Sequence, residues 1–357
     1  MKNYLQFILL LPLIIKAQDL KPNTLAPNPA AKGFSAKADQ YLQTLYKQGN
    51  FTGNVLVAHQ GKILFQKAYG WANQANKSPN TLQTKFRIAS VSKQFAATLI
   101  MQLVEKGKLQ VSDPLSKFLP DYPKGDSITI RQLLSHTSGI PEMTKLPGFM
   151  NKNIPAANLY QKIDFFKSAP LNSKPGSKFE YANSNYLLLS AIAEKVSGIP
   201  YEKLLQQEIL DKVPMTNSGV NKNDGEIKGV AQGYVQLGNG QWKTAAPRVA
   251  NAAYGAGGMY STVNDLYLWD RALYTQALLS ENTKKQLFKP VRNNYGYGWL
   301  IRKSMGKTEY SHNGKTNGFL SLISRFPDDD ACIIVLSNST STKPGEIKTE
   351  LARLLFN

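Results

Sequence analysis

The sequence predicts an α+β fold: an antiparallel sheet built from both chain ends, flanked by helices, with a largely helical inserted subdomain. Three observations predict it. β-Rich runs occur near the N-terminus and return near the C-terminus; the segments between them space their apolar residues mainly as helices; and Gly- and Pro-rich turns separate the runs. A cleft between sheet and helical parts is the expected ligand site.

The elements follow in order. Lys2, the apolar run over residues 4–15 and the small Ala17 read as a signal peptide over 1–17. The run is shorter than the roughly 20 residues that span a bilayer, so no transmembrane segment is expected after cleavage. Residues 18–35, with their prolines, read as a linker. The remaining 36–357 reads as one domain, its α/β part at about 36–109 and 285–357 and its mainly helical part at about 110–284. Phe34, Ala38, Tyr41, Leu42 and Leu45 share one face of a helix ending near Lys47. The stretch "NVLVAHQGKILFQKAYG" is two β-rich runs around Gln60-Gly61, a hairpin. A helix is expected over Ser90 to Lys106, with Phe95, Leu99, Leu103 and Val104 on one face and Gly107 as its stop. Another covers Asn185 to Val196, and Thr262-Val263-Asn264-Asp265 caps one that runs through Leu273. Strands return at "YGYGWLIR", "FLSLISRF" and "ACIIVLSN", and residues 345–355 close the chain as a helix.

Composition narrows the function. The 357 residues carry 42% hydrophobic and 19% charged side chains, as a globular chain does. Cys332 is the only cysteine, so no internal disulfide forms, and its apolar surroundings make it a small core residue. His59, His136 and His312 lack metal-ligand spacing, and neither a metal nor another cofactor is expected. The formal charge is +19, and losing Lys2 and Lys16 with the signal brings it to +17. A solvated lysine-rich surface accounts for this; so does attraction to an anionic cell envelope. Export and the lack of any basic block of five or more argue against nucleic acid.

Two short motifs carry chemistry. Ser90-Val91-Ser92-Lys93 is a Ser-x-x-Lys at a helix start, where positions i and i+3 share a face. A serine hydroxyl needs a base before it attacks, and a desolvated lysine can be that base. About two such matches arise by chance in a chain this long, and a second, Ser304 to Lys307, reads as a turn. Tyr181-Ala182-Asn183 is the only Tyr-x-Asn. A phenol beside a lysine ammonium is expected to have a depressed pKa and to relay protons, while the Asn183 amide could bind a substrate carbonyl or place Lys93. Taken alone, each motif also has an ordinary reading as a buried tyrosine, a turn asparagine or a chance match. His136 reads as a structural turn residue, and Trp299 as core or cleft wall.

The order Ser-x-x-Lys, Tyr-x-Asn, then His-x-Gly on a late strand resembles the serine β-lactamase and penicillin-binding protein-like family, in its class C β-lactamase, D,D-peptidase and esterase-type branch. The resemblance covers about 36–357 and takes in "LLSHTSGIP", "GAGGMYSTVNDL", "YGYGW" and "FPDDDACIIVLSN". It implies a β-lactamase/transpeptidase-like fold. It implies Ser90 as acylated nucleophile, Lys93 and Tyr181 as proton carriers, Asn183 as substrate orienter, and an oxyanion hole from the backbone N–H groups of Ser90 and Lys315. The third motif lies in "SHNGKTNGF". Family spacing from Gly318-Phe319 places it on His312, Asn313 and Gly314, which the resemblance makes substrate-binding. A small third residue lets substrate lie against the strand backbone, which Gly314 allows and Asn317 does not. Histidine where relatives carry lysine is mostly neutral at pH 7 and clamps a carboxylate less firmly, though it can still donate a hydrogen bond to substrate or Tyr181.

The sequence therefore predicts an exported, periplasmic or secreted serine hydrolase acting on D-amino peptides, β-lactams or small esters. Its rivals are an efficient class C-type β-lactamase and a non-catalytic envelope-binding protein on the same fold.

Overall fold

The computed structural model describes residues 29–149, 157–220, 227–237, 241–246 and 254–357. The expected signal peptide lies outside them.

Both chain ends build one six-stranded antiparallel sheet. Its strands run in the order Leu300–Ser304, Lys307–Thr316, Phe319–Phe326, Ala331–Ser337, Gly53–His59, Lys62–Tyr69. The N-terminal hairpin is closed onto the last strand by pairs from Gly53↔Ser337 to His59↔Ala331. Strands buried on both faces read as unbroken apolar runs, and Ala331–Ser337 is buried throughout. Alternate side chains then serve two cores. Val55, Val57, Ile333 and Val335 pack under the Pro29–Lys47 and Pro344–Phe356 helices with Phe34, Leu42, Ile347 and Leu351. Leu56, Ala58, Ile334, Leu336 and Cys332 face the larger core, which holds the Ser92–Glu105, Asn183–Ser197 and Val263–Ala272 helices. Phe95 stacks on Trp269 there, ring centroids 4.1 Å apart.

Turn chemistry agrees with the sequence. Gln60 and Gly61 both take positive φ, 52° and 68°, as a two-residue hairpin demands. Met305 and Gly306 do the same at 52° and 75°, so the second Ser-x-x-Lys is a hairpin turn. Gly198, at φ 73°, stops the Asn183–Ser197 helix. Trp299 is fully buried against Phe288 and belongs to the core.

Three expectations shift. The first helix begins at Pro29, ahead of Phe34. The helix expected from Ser90 starts as a 3₁₀ turn, Ala89–Val91, and becomes α-helical at Ser92. In "YGYGWLIR" only the end is strand, beginning at Leu300. The cause lies in Gly298, which adopts φ 77° and presses its backbone against the Lys93 carbonyl, where a Cβ would sit 2.7 Å from the oxygen. That approach excludes a regular strand at this point.

Candidate active site

The 3₁₀ turn sets the first pair. Ser90 lies in that turn and Lys93 in the α-helix that follows it; positions three apart share a face, and Lys93 Nζ lies 3.1 Å from Ser90 Oγ. Ala89, directly before Ser90, is held at φ 46°. This left-handed conformation is costly for alanine and persists only where neighbours enforce it. Ser321 Oγ does so from the sheet, donating to the Ile88 carbonyl at 2.7 Å. Ser92 Oγ does so from the helix, donating to the Ala89 carbonyl at 2.7 Å and accepting from the Met259 N–H at 3.1 Å.

Lys93 is fully buried, and its amine meets two further acceptors: Asn183 Oδ1 at 2.8 Å and the Ala256 carbonyl at 2.5 Å. Ala256 belongs to the short Tyr254–Gly257 helical turn in "GAGGMYSTVNDL". As an ammonium, Lys93 donates to all three oxygens. As a neutral amine it keeps two donors for Asn183 and Ala256 and turns its lone pair to Ser90.

Tyr181 reaches the same oxygen, its hydroxyl 2.9 Å from Ser90 Oγ. The residue is 39% exposed, yet its hydroxyl is the end held in the site. Desolvation of that hydroxyl lifts the phenol well above its ordinary value, outweighing the Ser90 hydrogen bond, and the negative charge of Glu142 adds to the rise. The depressed phenol pKa expected beside Lys93 is therefore corrected: burial outweighs the neighbouring cation, whose nitrogen stands 4.8 Å from the ring centroid.

The Tyr181–Asn183 segment is stitched to the 136–143 stretch of "LLSHTSGIP" and its continuation. The Ala182 N–H donates to His136 Nδ1 at 3.2 Å, Ser138 Oγ to Asn185 Oδ1 at 2.6 Å, and Ser184 Oγ to the Pro141 carbonyl at 2.6 Å. Glu142 accepts from both the backbone N–H and the Nδ2 of Asn183. His136 is buried at φ 55°, its ring centroid 4.3 Å from that of Tyr181, and desolvation holds it well below its usual pKa. It is a neutral wall for the tyrosine, in keeping with its structural reading.

The third motif lies on the Lys307–Thr316 strand. The neighbouring Leu300–Ser304 strand pairs with it only as far as Leu300↔Ser311. Beyond that point His312 to Lys315 pair with Phe319–Phe326 alone among the described strands. The structure gives Gly314 a different reason for being small. A Cβ there would penetrate the Ile88 carbonyl oxygen and Ser321 Oγ and come within 3.1 Å of Ala89 Cβ. The strand is pressed at Gly314 against the turn that presents Ser90.

His312 is buried at 6% exposure. Its Nδ1 faces the Asn313 carbonyl at 2.7 Å, so this nitrogen carries the proton, and Nε2 accepts from the Tyr295 hydroxyl at 3.0 Å. Desolvation and the charge of Lys93 together push its pKa down to about 3, against a weaker upward pull from the Asn313 carbonyl. Both ring nitrogens are thus engaged, and the ring centroid stands 6.3 Å from that of Tyr181. Of the two partners open to His312, substrate and Tyr181, it makes no hydrogen bond to Tyr181 here, because Tyr295 and Asn313 occupy the imidazole.

One oxygen, Ser90 Oγ, thus faces an amine and a phenol, with the His312–Lys315 stretch of the Lys307–Thr316 strand packed on the turn that carries it. Such a cluster can move a proton off the hydroxyl and supply one to a leaving group. Sequence reasoning missed Glu142, Ala256 and Tyr295, and only "LLSHTSGIP", "GAGGMYSTVNDL" and "YGYGW" pointed toward their neighbourhoods.

Comparison with known proteins agrees with this geometry. A family model described as Beta-lactamase matches residues 38–356. The chain is 32% identical over 324 residues to the putative penicillin-binding protein PbpX of Bacillus subtilis, covering 89% of this chain and 78% of that protein. Penicillin-binding protein 4* of the same organism is also 32% identical, over 84% of this chain and 71% of its own. The solved penicillin binding protein from Bacillus halodurans superposes with a TM-score of 0.79 at 31% identity, covering 88% of this chain and 99% of that one.

Proposed function

Since the chain belongs to the Beta-lactamase family and is a serine hydrolase of that kind, we propose that it is an exported enzyme working through an acyl-enzyme on Ser90, on D-amino peptides, β-lactams or small esters. The observation that carries this reading is the convergence of Lys93 Nζ and Tyr181 Oη on Ser90 Oγ, at 3.1 and 2.9 Å.

In the proposed cycle, neutral Lys93 takes the Ser90 proton as Oγ attacks the substrate carbonyl. The oxyanion is held by the backbone N–H groups of Ser90 and Lys315. Tyr181 protonates the leaving group, and the phenolate it leaves lies beside the new Lys93 ammonium. Water then attacks the acyl-enzyme, giving its proton to Tyr181, while Ser90 recovers its own from Lys93. Each group ends as it began.

Asn183 orients the substrate and Lys93, and the strand stretch of His312, Asn313, Gly314 and Lys315 receives the substrate backbone. A buried, neutral His312 is a poor anchor for a carboxylate, which places efficient class C-type β-lactamase activity behind hydrolysis of D-amino peptides and esters. Export rests on the apolar run over residues 4–15, and no helix among the described residues is long and apolar enough to cross a membrane. The charge of +17 left after signal removal favours association with an anionic envelope.

The test is covalent labelling. A fluorophosphonate or penicillin probe should add one adduct, mapped by mass spectrometry to Ser90, and Ser90→Ala should abolish it with folding unchanged. Equal labelling of the variant would sink the assignment. Nitrocefin, p-nitrophenyl acetate and a D-Ala-D-Ala peptide, run side by side, separate the substrate classes.

A further inference from the structure

The 15-residue Asn183–Ser197 helix begins without a cap of its own. Ala182 stands at the N-cap and offers no side-chain acceptor, so the first N–H groups of the helix need partners from elsewhere. Glu142, more than forty residues earlier in the chain, supplies one. One carboxylate oxygen accepts the Asn183 backbone N–H, and the other accepts Asn183 Nδ2 at 3.3 Å. The carboxylate is itself fixed, because the Thr144 hydroxyl and backbone N–H donate to it at 2.7 and 3.2 Å.

An asparagine side chain has two ends of nearly equal size and opposite polarity. Here the oxygen must face Lys93, since an NH₂ group would oppose the amine donor to donor. Lys93 selects the oxygen end from one side of the amide, and the NH₂ end needs a matching acceptor on the other. Glu142 supplies it, by accepting from the NH₂ end. Its oxygens are occupied by four protein donors, which marks it as part of the scaffold of the site and not as a receptor for substrate.

We propose that Glu142 is the positioning residue of this active site: it locks the polarity of the Asn183 amide so that Oδ1 holds Lys93 against Ser90. This rests on the acyl-enzyme reading above. Glu142→Gln keeps the shape but presents one acceptor where two are needed. The two Thr144 donors and Asn183 Nδ2 all donate to one Glu142 oxygen and the Asn183 backbone N–H to the other, so the Gln oxygen stays with the first set and its NH₂ opposes the Asn183 backbone N–H, which pushes Asn183 and its amide away from Lys93.

The experiment compares four variants with wild type, after wild-type labelling at Ser90 by a fluorophosphonate has been mapped. Failure of that labelling would overturn the acyl-enzyme reading and the inference with it. With labelling established, Glu142→Gln should lower kcat on p-nitrophenyl acetate roughly 10- to 100-fold, as expected for a lost charge-assisted hydrogen bond, with KM near wild type and a fall in Tm no larger than that of Ser184→Ala. Ser184→Ala is the structural control. It cuts a tie between the same loop and the same helix end, through Pro141 and Met143, without touching the amide, and should lower Tm while keeping kcat. In an Asn183→Ala background, Glu142→Gln should change kcat no further. An unchanged kcat in Glu142→Gln, a loss that merely tracks Tm as in Ser184→Ala, or the same loss with Asn183 already removed would each overturn the proposal.

Discussion

Gly314→Ala is the sharpest perturbation of the site, because it adds one methyl group at the joint between strand and nucleophile. The added Cβ would overlap the Ile88 carbonyl oxygen and Ser321 Oγ and stand 3.1 Å from Ala89 Cβ. An ordinary carbon–oxygen approach is about 3.3 Å or more, so the strand must retreat by on the order of 1 Å. The glycine has no positive φ to lose, and the whole effect is therefore steric. Overpacking of this kind costs ~1–3 kcal/mol in stability. A misplacement of about 1 Å costs roughly 100-fold in rate, and it would act here on the Lys315 N–H relative to Ser90. The assay is the second-order rate of labelling by a small fluorophosphonate, beside the urea midpoint. Both should fall. If glycine were needed only to let bulky substrates lie on the strand, the small probe would react at the wild-type rate and stability would not change. That result would refute the packing argument.

Other expectations concern protons and charges. Tyr181→Phe removes only the hydroxyl that faces Ser90, and turnover of p-nitrophenyl acetate should drop by about 10²–10⁴ while Tm holds; equal turnover would remove Tyr181 from the cycle. His136 and His312 are both held neutral by burial. Their folded pKa values lie below the unfolded value, so their contribution is complete above about pH 6.5 and is lost as pH falls toward the folded values. Chemical denaturation at pH 7, 6 and 5 should show stability falling by up to about 1.4 kcal/mol per pH unit for each imidazole, and His312→Gln should flatten that slope; a slope unaltered by the substitution would argue against a neutral His312. Arg325, 2% exposed, donates to the fully buried Asp270 at 2.8 Å. Asp270→Asn should cost ~3–5 kcal/mol in urea denaturation, and a loss under 1 kcal/mol would show the pair to be unimportant.

What the sequence disclosed and what it withheld divide along a physical line. Ser90 with Lys93 and the Gln60-Gly61 and Met305-Gly306 hairpins are local: their geometry follows from spacing or from φ preferences that residue types carry. The sheet closure of Gly53–His59 onto Ala331–Ser337 was legible because both runs are unbroken apolar β-formers that must be buried on both faces. The Ala256 acceptor was not legible, since every residue has a carbonyl and only the fold selects one. Glu142 was hidden for a similar reason. Its partner lies on another element, and a lone glutamate after a proline has no local signature. The "YGYGWLIR" strand failed because its aromatic, alternating pattern mimics a strand, while Gly298 is there to let the backbone approach Lys93. The phenol and imidazole pKa values depend on desolvation, which composition does not encode.

In the proposed cycle, the raised phenol pKa of Tyr181 bears on how the reaction starts. With Lys93 as an ammonium and Tyr181 as a neutral phenol, Ser90 Oγ would face two donors and no base, and attack could not begin. One proton must leave the trio. Removing it from Tyr181 is the harder choice, because burial and Glu142 both oppose a phenolate. Removing it from Lys93 leaves two N–H bonds for the two fixed acceptors, Asn183 Oδ1 and the Ala256 carbonyl, and turns the lone pair toward Ser90. The acceptors are placed so that the neutral amine has one orientation. In that cycle the phenolate forms as the leaving group departs, when the new Lys93 ammonium beside the ring offsets its charge. On this reasoning the order of proton transfers is set by the scaffold around Lys93 and not by any special acidity of Tyr181. A His312 that stays neutral adds no second cation to upset it.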